Sequence, residues 1–257
     1  MKKIFIPVLV LVAFMAEAQT VLQAGKRKIG PGDVYRLQTI SDPQVSPEGS
    51  WISYVLTSVD SAKDKRNSDV WMVSWDGQQS IQLTNSADGE SSPRWSPDGK
   101  FLSFVSSRQG KKSQIWLLDR RGGEGKKITD LKNDLSDYKW SPDSKKLLIT
   151  INDAPDTSKT KTTNPIVIDR YQFKQDMQGY WMKKYTHLYL YDIATKKLDT
   201  LTSGPYNHTA RLESDGNQIA FESNRTADPD KNENTDIWII DAKKDRHQNR
   251  SLPERLR

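Results

Sequence analysis

The 257-residue sequence predicts an all-β fold, a partial β-propeller of about four four-stranded antiparallel blades after a signal peptide. Two patterns that recur in step along the chain predict it. The first starts at residues 45, 95, 140 and 212. It reads Val45-Ser46-Pro47-Glu48-Gly49 then Trp51 to Val55, Trp95-Ser96-Pro97-Asp98-Gly99 then Phe101 to Val105, Trp140-Ser141-Pro142-Asp143-Ser144 then Leu147 to Ile149, and Leu212-Glu213-Ser214-Asp215-Gly216 then Ile219 to Phe221. The second trails it as Asp69-Val70-Trp71, Gln114-Ile115-Trp116, His187-Leu188-Tyr189 and Asp236-Ile237-Trp238. The third observation is compositional: 35% hydrophobic and 28% charged residues exclude a multi-span membrane protein, and eight Trp, nine Tyr and six Phe supply more aromatic area than a disordered chain carries.

The elements follow in order. Lys2 and Lys3, the apolar run Ile4 to Met15 and the small residues of Ala16-Glu17-Ala18 make residues 1–18 a signal peptide, too short in its apolar part to span a bilayer. The expectation is an exported protein, periplasmic or secreted, cleaved after Ala18. Residues 19–41 lead in, with Pro31 to Leu37 as a short capped helical turn. Blades are expected at about 42–85, 91–130, 136–203 and 208–245, together forming a partial propeller over 42–245. Within each, Pro-Asp-Gly closes a tight hairpin, because proline fixes φ, aspartate bonds its own backbone and glycine accepts positive φ. The second and third strands are apolar on both faces and suit a sheet sandwiched between sheets. Gln82-Leu83-Thr84, Lys127-Ile128-Thr129 and Thr200-Leu201-Thr202 end the edge strands. The third blade carries an insertion, 152–186, whose first part is polar and reads as a solvated loop. Residues 246–257 form an atypical tail without the Leu-Thr ending.

Zero cysteines remove thiolate metal sites, iron–sulfur clusters and cysteine nucleophiles, and none of the three histidines has a carboxylate or histidine at metal-ligand spacing. No metal and no cofactor are expected. Asp228 to Asp236 alternates oxygen ligands, but Glu233 replaces the glycine and Ile239 the bidentate glutamate that a calcium loop requires. Ser46, Ser96 and Ser141 stand before proline, where a hydroxyl satisfies turn backbone rather than attacking a substrate.

The run Asp33 to Leu37, then Ser41-Asp42-Pro43-Gln44-Val45-Ser46-Pro47-Glu48-Gly49 and Asp69 to Val73, resembles the N-terminal propeller of the prolyl oligopeptidase family of serine peptidases, in its exported acylaminoacyl-peptidase and dipeptidyl-peptidase branch. The insertion segment Asp169 to Lys174 with Gly179-Tyr180 is similar to the same branch, whereas the Trp-Ser-Pro-Asp-Gly units are shared with TolB-like, WD40-type propellers. The resemblance implies a seven- or eight-bladed propeller joined to an α/β-hydrolase domain that carries a serine, an aspartate and a histidine. No two glycines here stand four residues apart, so the Gly-x-Ser-x-Gly elbow is missing and no catalytic residue is assigned. A truncated gene, a change of frame near Lys244 or an incomplete sequence accounts equally for this.

The expected function is therefore the substrate-gating propeller portion of an exported peptidase, non-catalytic by itself. A stand-alone TolB-like periplasmic binding or scaffold module is the alternative. Peptides and the missing hydrolase domain are the expected partners by resemblance, and the open blade faces provide for self-association; nucleic acid, and membrane after cleavage, are not expected. Arg170, Tyr171, Phe173, Tyr180 and Trp181 are the candidate substrate or interdomain residues, since arginine clamps carboxylates or carbonyls and aromatic rings supply stacking area.

Overall fold

The computed structural model describes residues 27–110, 112–153, 168, 170–176, 179–180, 184–210, 216–242 and 254–255. A 3-10 helix over Pro31–Arg36 leads in, with Asp33 accepting the Gly30 N–H at 2.8 Å. The first blade holds β1 (Thr39–Val45), β2 (Trp51–Asp60), β3 (Lys65–Ser74) and β4 (Ser80–Gln82). The second holds β5 (Glu90–Trp95), β6 (Phe101–Ser106), β7 (Gln114–Asp119) and β8 (Lys126–Lys127). In the third, β9 (Leu135–Trp140) and β10 (Lys146–Asn152) precede a two-stranded hairpin, β11 (Lys174–Gln175) and β12 (Gly179–Tyr180), before β13 (Thr186–Asp192) and β14 (Leu198–Thr200) complete the sheet. The fourth contains β15 (Thr209–Ala210), β16 (Gln218–Ser223), β17 (Asp236–Asp241) and β18 (Glu254–Arg255). Every pairing is antiparallel between sequence neighbours within a blade, as a propeller blade requires. The tail itself supplies the last edge: Arg255 and Glu254 pair with Trp238 and Ile239.

The Ser-Pro turns explain why the pattern repeats. Ser46, Ser96 and Ser141 accept through Oγ the N–H of Trp51, Phe101 and Lys146 at 2.9–3.0 Å. The same hydroxyls donate to Glu48, Asp98 and Asp143 at 2.9, 2.7 and 2.6 Å. Gly49 and Gly99 turn the chain at φ 76° and 69°, a region that costs a side chain energy. At the other edge, Thr84, Thr129 and Thr202 accept the N–H of Val70, Ile115 and Leu188 at 2.8–2.9 Å, which explains the recurrent Leu-Thr or Ile-Thr.

Blades are joined by apolar seams. Leu102, Phe104, Trp116 and Leu118 pack on Val70 of the first blade; Leu147, Ile149 and Tyr191 pack on Ile115; Ile219 and Phe221 pack on Leu148, Leu188 and Leu190. Polar ties accompany them. Trp95 Nε1 donates to the Gln44 carbonyl at 3.2 Å, Trp140 Nε1 to Ser103 Oγ at 2.9 Å, and the Tyr138 hydroxyl to the Ser92 carbonyl at 2.8 Å. In the first blade Ile52, Tyr54, Trp71 and Val73 occupy the register of Leu102, Phe104, Trp116 and Leu118, yet they remain half-exposed, since no blade precedes them among the described residues.

Candidate functional site

The insertion leaves the third blade after β10 and returns at β13. Its described part places four of the five sequence candidates together, and Trp181 lies outside the described residues. Phe173 and Tyr180 flank the small hairpin and stack at 6.5 Å between ring centroids, 28° apart, an offset arrangement favoured by their quadrupoles. Both rings are exposed, and Tyr171 beside them is 72% accessible. Asp230, in the fourth blade, anchors this patch: it accepts the Tyr171 N–H at 2.7 Å and faces Arg170 Nε at 3.7 Å. Backbone hydrogen bonds, from Tyr171 first, hold the Asp230 carboxyl below the ordinary carboxylate range against desolvation. Arg170, expected as a clamp for a ligand, thus already faces a carboxylate of its own chain.

Sequence reasoning missed Asp230 because, once a calcium loop was set aside, it took Asp228 to Asp236 as a solvated inter-strand loop and sought no partner for it elsewhere in the chain. That segment is cross-braced instead. Asn224 Nδ2 donates to the Pro229 and Asn232 carbonyls at 3.1 Å each, and Asn232 Nδ2 to the Asp228 carbonyl at 2.8 Å. Among the described residues no three His, Asp or Glu side chains converge as metal ligands.

A second feature lies between the first two blades. Ser41, Asp42, Thr57, Ser68, Asp88, Glu90, Ser91, Ser106 and their neighbours line an open polar cavity of about 460 Å3. At its wall Glu90 is buried beside Asp69; burial first, then the Glu90 charge, push the Asp69 carboxyl upward. A third lies between the last two blades, where His187 and His208 meet at 3.3 Å between Nδ1 atoms. His187 Nε2 is 3.5 Å from Asp153 Oδ2, a base-and-orienter arrangement, but its other ring nitrogen faces an imidazole and not a hydroxyl nucleophile. The repeated turn serines are likewise committed to their own turns.

Four antiparallel four-stranded sheets, joined in chain order by apolar seams, define a propeller-type fold. Residues 32–165 match the TolB beta propeller domain family, and the chain belongs to it. The chain is 29% identical over 223 residues to the uncharacterized peptidase YuxL of Bacillus subtilis, a match covering 84% of this chain and 34% of that protein. It is 30% identical over 74 residues to dipeptidyl-peptidase 5 of Porphyromonas gingivalis, covering 29% of this chain and 11% of the relative. The acylaminoacyl peptidase of Pyrococcus horikoshii superposes with a TM-score of 0.66 at 20% identity, over 86% of this chain and 33% of that one, and shares the fold. These relatives are peptidases of the prolyl oligopeptidase family, and the chain spans about a third or less of their length.

Proposed function

We propose that this chain is the substrate-gating propeller portion of an exported serine peptidase of the prolyl oligopeptidase family, non-catalytic alone, and that Tyr171, Phe173 and Tyr180 form its contact surface for peptide or for a hydrolase domain. The single observation that carries the reading is coverage: the similarity to a peptidase runs through most of this chain but only 34% of the relative. The exposed stack supports the choice of surface, because aromatic rings bring large contact area at small entropic cost. The match to the TolB family favours a second reading, a stand-alone binding or scaffold module. The test is binding of purified chain to immobilised unstructured peptides and to a separately produced hydrolase domain of a peptidase relative, with F173A/Y180A alongside. Binding to either that the variant loses supports the proposal. Undiminished binding by the variant, or binding to neither, overturns the assignment of this surface, and turnover of a dipeptide or acyl-peptide chromogen blocked by a fluorophosphonate overturns the non-catalytic reading.

A further inference from the structure

Arg225, His208, His187 and Asp153 form a line of polar groups across the seam between the third and fourth blades. His187 and His208 retain only 6% and 0% exposure. Arg225 Nη2 lies 3.0 Å from His208 Nε2; His208 Nδ1 lies 3.1 Å from the Thr186 carbonyl and 3.3 Å from His187 Nδ1; His187 Nε2 lies 3.5 Å from Asp153 Oδ2. The donor inventory assigns the protons. A guanidinium only donates, so His208 Nε2 must offer its lone pair and the His208 proton sits on Nδ1. That proton lies between the Thr186 carbonyl at 3.1 Å and His187 Nδ1 at 3.3 Å; a second N–H brought against it from His187 would repel it, so His187 Nδ1 is bare and the His187 proton sits on Nε2, toward Asp153. Each ring has one permitted tautomer, and both rings are neutral.

No charged form preserves the line. A second proton on His208 would set an N–H against the Arg225 donor. A second proton on His187 would set two Nδ1–H groups against each other at 3.3 Å. The charged and titratable groups facing the pair are Asp153 at the end of β10, Arg225 beyond β16, and Tyr206 in the loop before β15, whose ring lies 5.4 Å from the Arg225 guanidinium. Arg225 cannot move aside freely, being also 4.7 Å from the Trp238 ring.

We propose that His187 and His208 form an acid-released latch: proton uptake by either ring uncouples the third and fourth blades at the end of their seam where the insertion is rooted. Asp153 directly follows β10 and Thr186 opens β13, so both stand at the roots of the insertion, and the segment beyond Arg225 carries Asp230, which anchors Tyr171. The latch thus bears on the patch assigned above to partner contact, and that consequence rests on the proposed function; the latch itself does not. Below it the apolar seam of Leu148, Leu190, Ile219 and Phe221 keeps the blades together, so release is local. Burial holds His208 down at about 4 against the hydrogen bond to the Thr186 carbonyl, with the Arg225 charge adding to burial, and holds His187 below its ordinary value against the pull of Asp153. Depressed values in the closed seam mean that its stability is intact above the open-state value of about 6.5 and drains as pH falls from there toward 4.

The test uses the chain with nitrogen-15 histidine. Ring spectra at pH 7.5 should show His208 protonated on Nδ1 and His187 on Nε2. Hydrogen exchange, corrected for its intrinsic pH dependence, should then show opening at residues 186–188 and 207–210 rising about tenfold per pH unit below 6.5, with residues 102–118 unchanged. H187N/H208Q should abolish the rise. The opposite tautomers, a rise of equal steepness in the variant, or exchange in the wild-type chain that does not steepen overturns the latch; so does protection at pH 7.5 that a chelator removes, because two nitrogens at this spacing could then be holding a metal. Should the variant fail to fold, the tautomers and wild-type exchange still decide.

Discussion

Replacing Asp69 by asparagine should stabilise the protein on the alkaline side and leave it unchanged in acid. Asp69 and Glu90 are buried in the seam between the first two blades, and Asp69 Oδ1 and Glu90 Oε2 have no hydrogen-bond partner. Their other oxygens make weak contacts, from Asn67 Nδ2 at 3.3 Å and Ser106 Oγ at 3.4 Å. Burial first, then the Glu90 charge, raise the Asp69 value against a hydrogen bond from the Ser86 backbone, and a proton held by Asp69 gives its orphaned oxygen a donor toward Glu90. A raised folded-state value means that this contribution is present below the unfolded value of about 3.9 and is lost as pH climbs through the folded one. At pH 8 the seam carries the cost of an unsatisfied buried group, about 1–3 kcal/mol. The amide of D69N would donate to Glu90 at any pH and recover about 1–2 kcal/mol of that, or roughly 2–8 °C in melting temperature for a chain of this size. Circular-dichroism melts of D69N and wild type between pH 4 and pH 8 measure it. A lower melting temperature for D69N at pH 8, or an equal rise at both ends, would show that the Asp69 carboxylate is a useful acceptor and that it holds no proton.

Three more outcomes are expected. Tyr138→Phe removes the hydroxyl that donates to the Ser92 carbonyl at 2.8 Å, while Ser103 keeps its donor from Trp140, so unfolding free energy should fall by about 1–3 kcal/mol in denaturant titration. Gly125→Ala would put a methyl 2.8 Å from Arg108 Nη2 and 2.9 Å from Phe104 Cζ; the arginine can move but the buried ring cannot, and a loss of about 1–3 kcal/mol is expected in the same titration. The first blade's outer face, with exposed Val45 and half-exposed Ile52 and Val73, should drive concentration-dependent association, and Ile52→Lys should suppress it in sedimentation velocity; a monomer at every concentration would refute that use of the face.

The blades were legible because each is specified locally. Ser96, Pro97, Asp98 and Gly99 make one turn among themselves, and Thr129 answers Ile115 within one blade, so the sequence order repeats the bonding order. The seams were not legible for the opposite reason. Glu90 meets Asp69, His208 meets His187 and Asp230 meets Tyr171 only after blades stack, and no periodicity within a strand encodes a partner in the next sheet. The edge strand Glu254–Arg255 escaped notice because it pairs through its backbone and lacks the Thr that marks the other blades. One signal was available: the residue just before each third-strand apolar run is Asp69, Gln114, His187 or Asp236, and a histidine among acids and amides at an equivalent position asks for a different partner.

That equivalence carries a last prediction. Asp69, Gln114 and His187 each precede the residue whose N–H binds the edge-strand threonine. Glu90 and His208 correspond too, since the residue before each, Gly89 or Asn207, accepts Ser106 Oγ or Ser223 Oγ through its carbonyl at 3.2 and 2.9 Å. One station in the propeller seam is therefore filled by two acids, by an amide, and by two imidazoles. Gln114 is neutral and self-sufficient, donating to the Leu131 carbonyl at 3.0 Å and accepting the Leu131 N–H at 2.7 Å. The middle seam should accordingly ignore pH, the first should weaken as the Asp69 proton leaves, and the last should weaken as its histidines charge. Corrected exchange rates read at Val70, Ile115 and Leu188, whose N–H groups make the same bond in three blades, separate the cases. Leu188 should open first at pH 5 and Val70 first at pH 9, with Ile115 steady throughout. A common pH profile at all three would mean that the seams respond as one body and that the residues at this station do not set their stability individually.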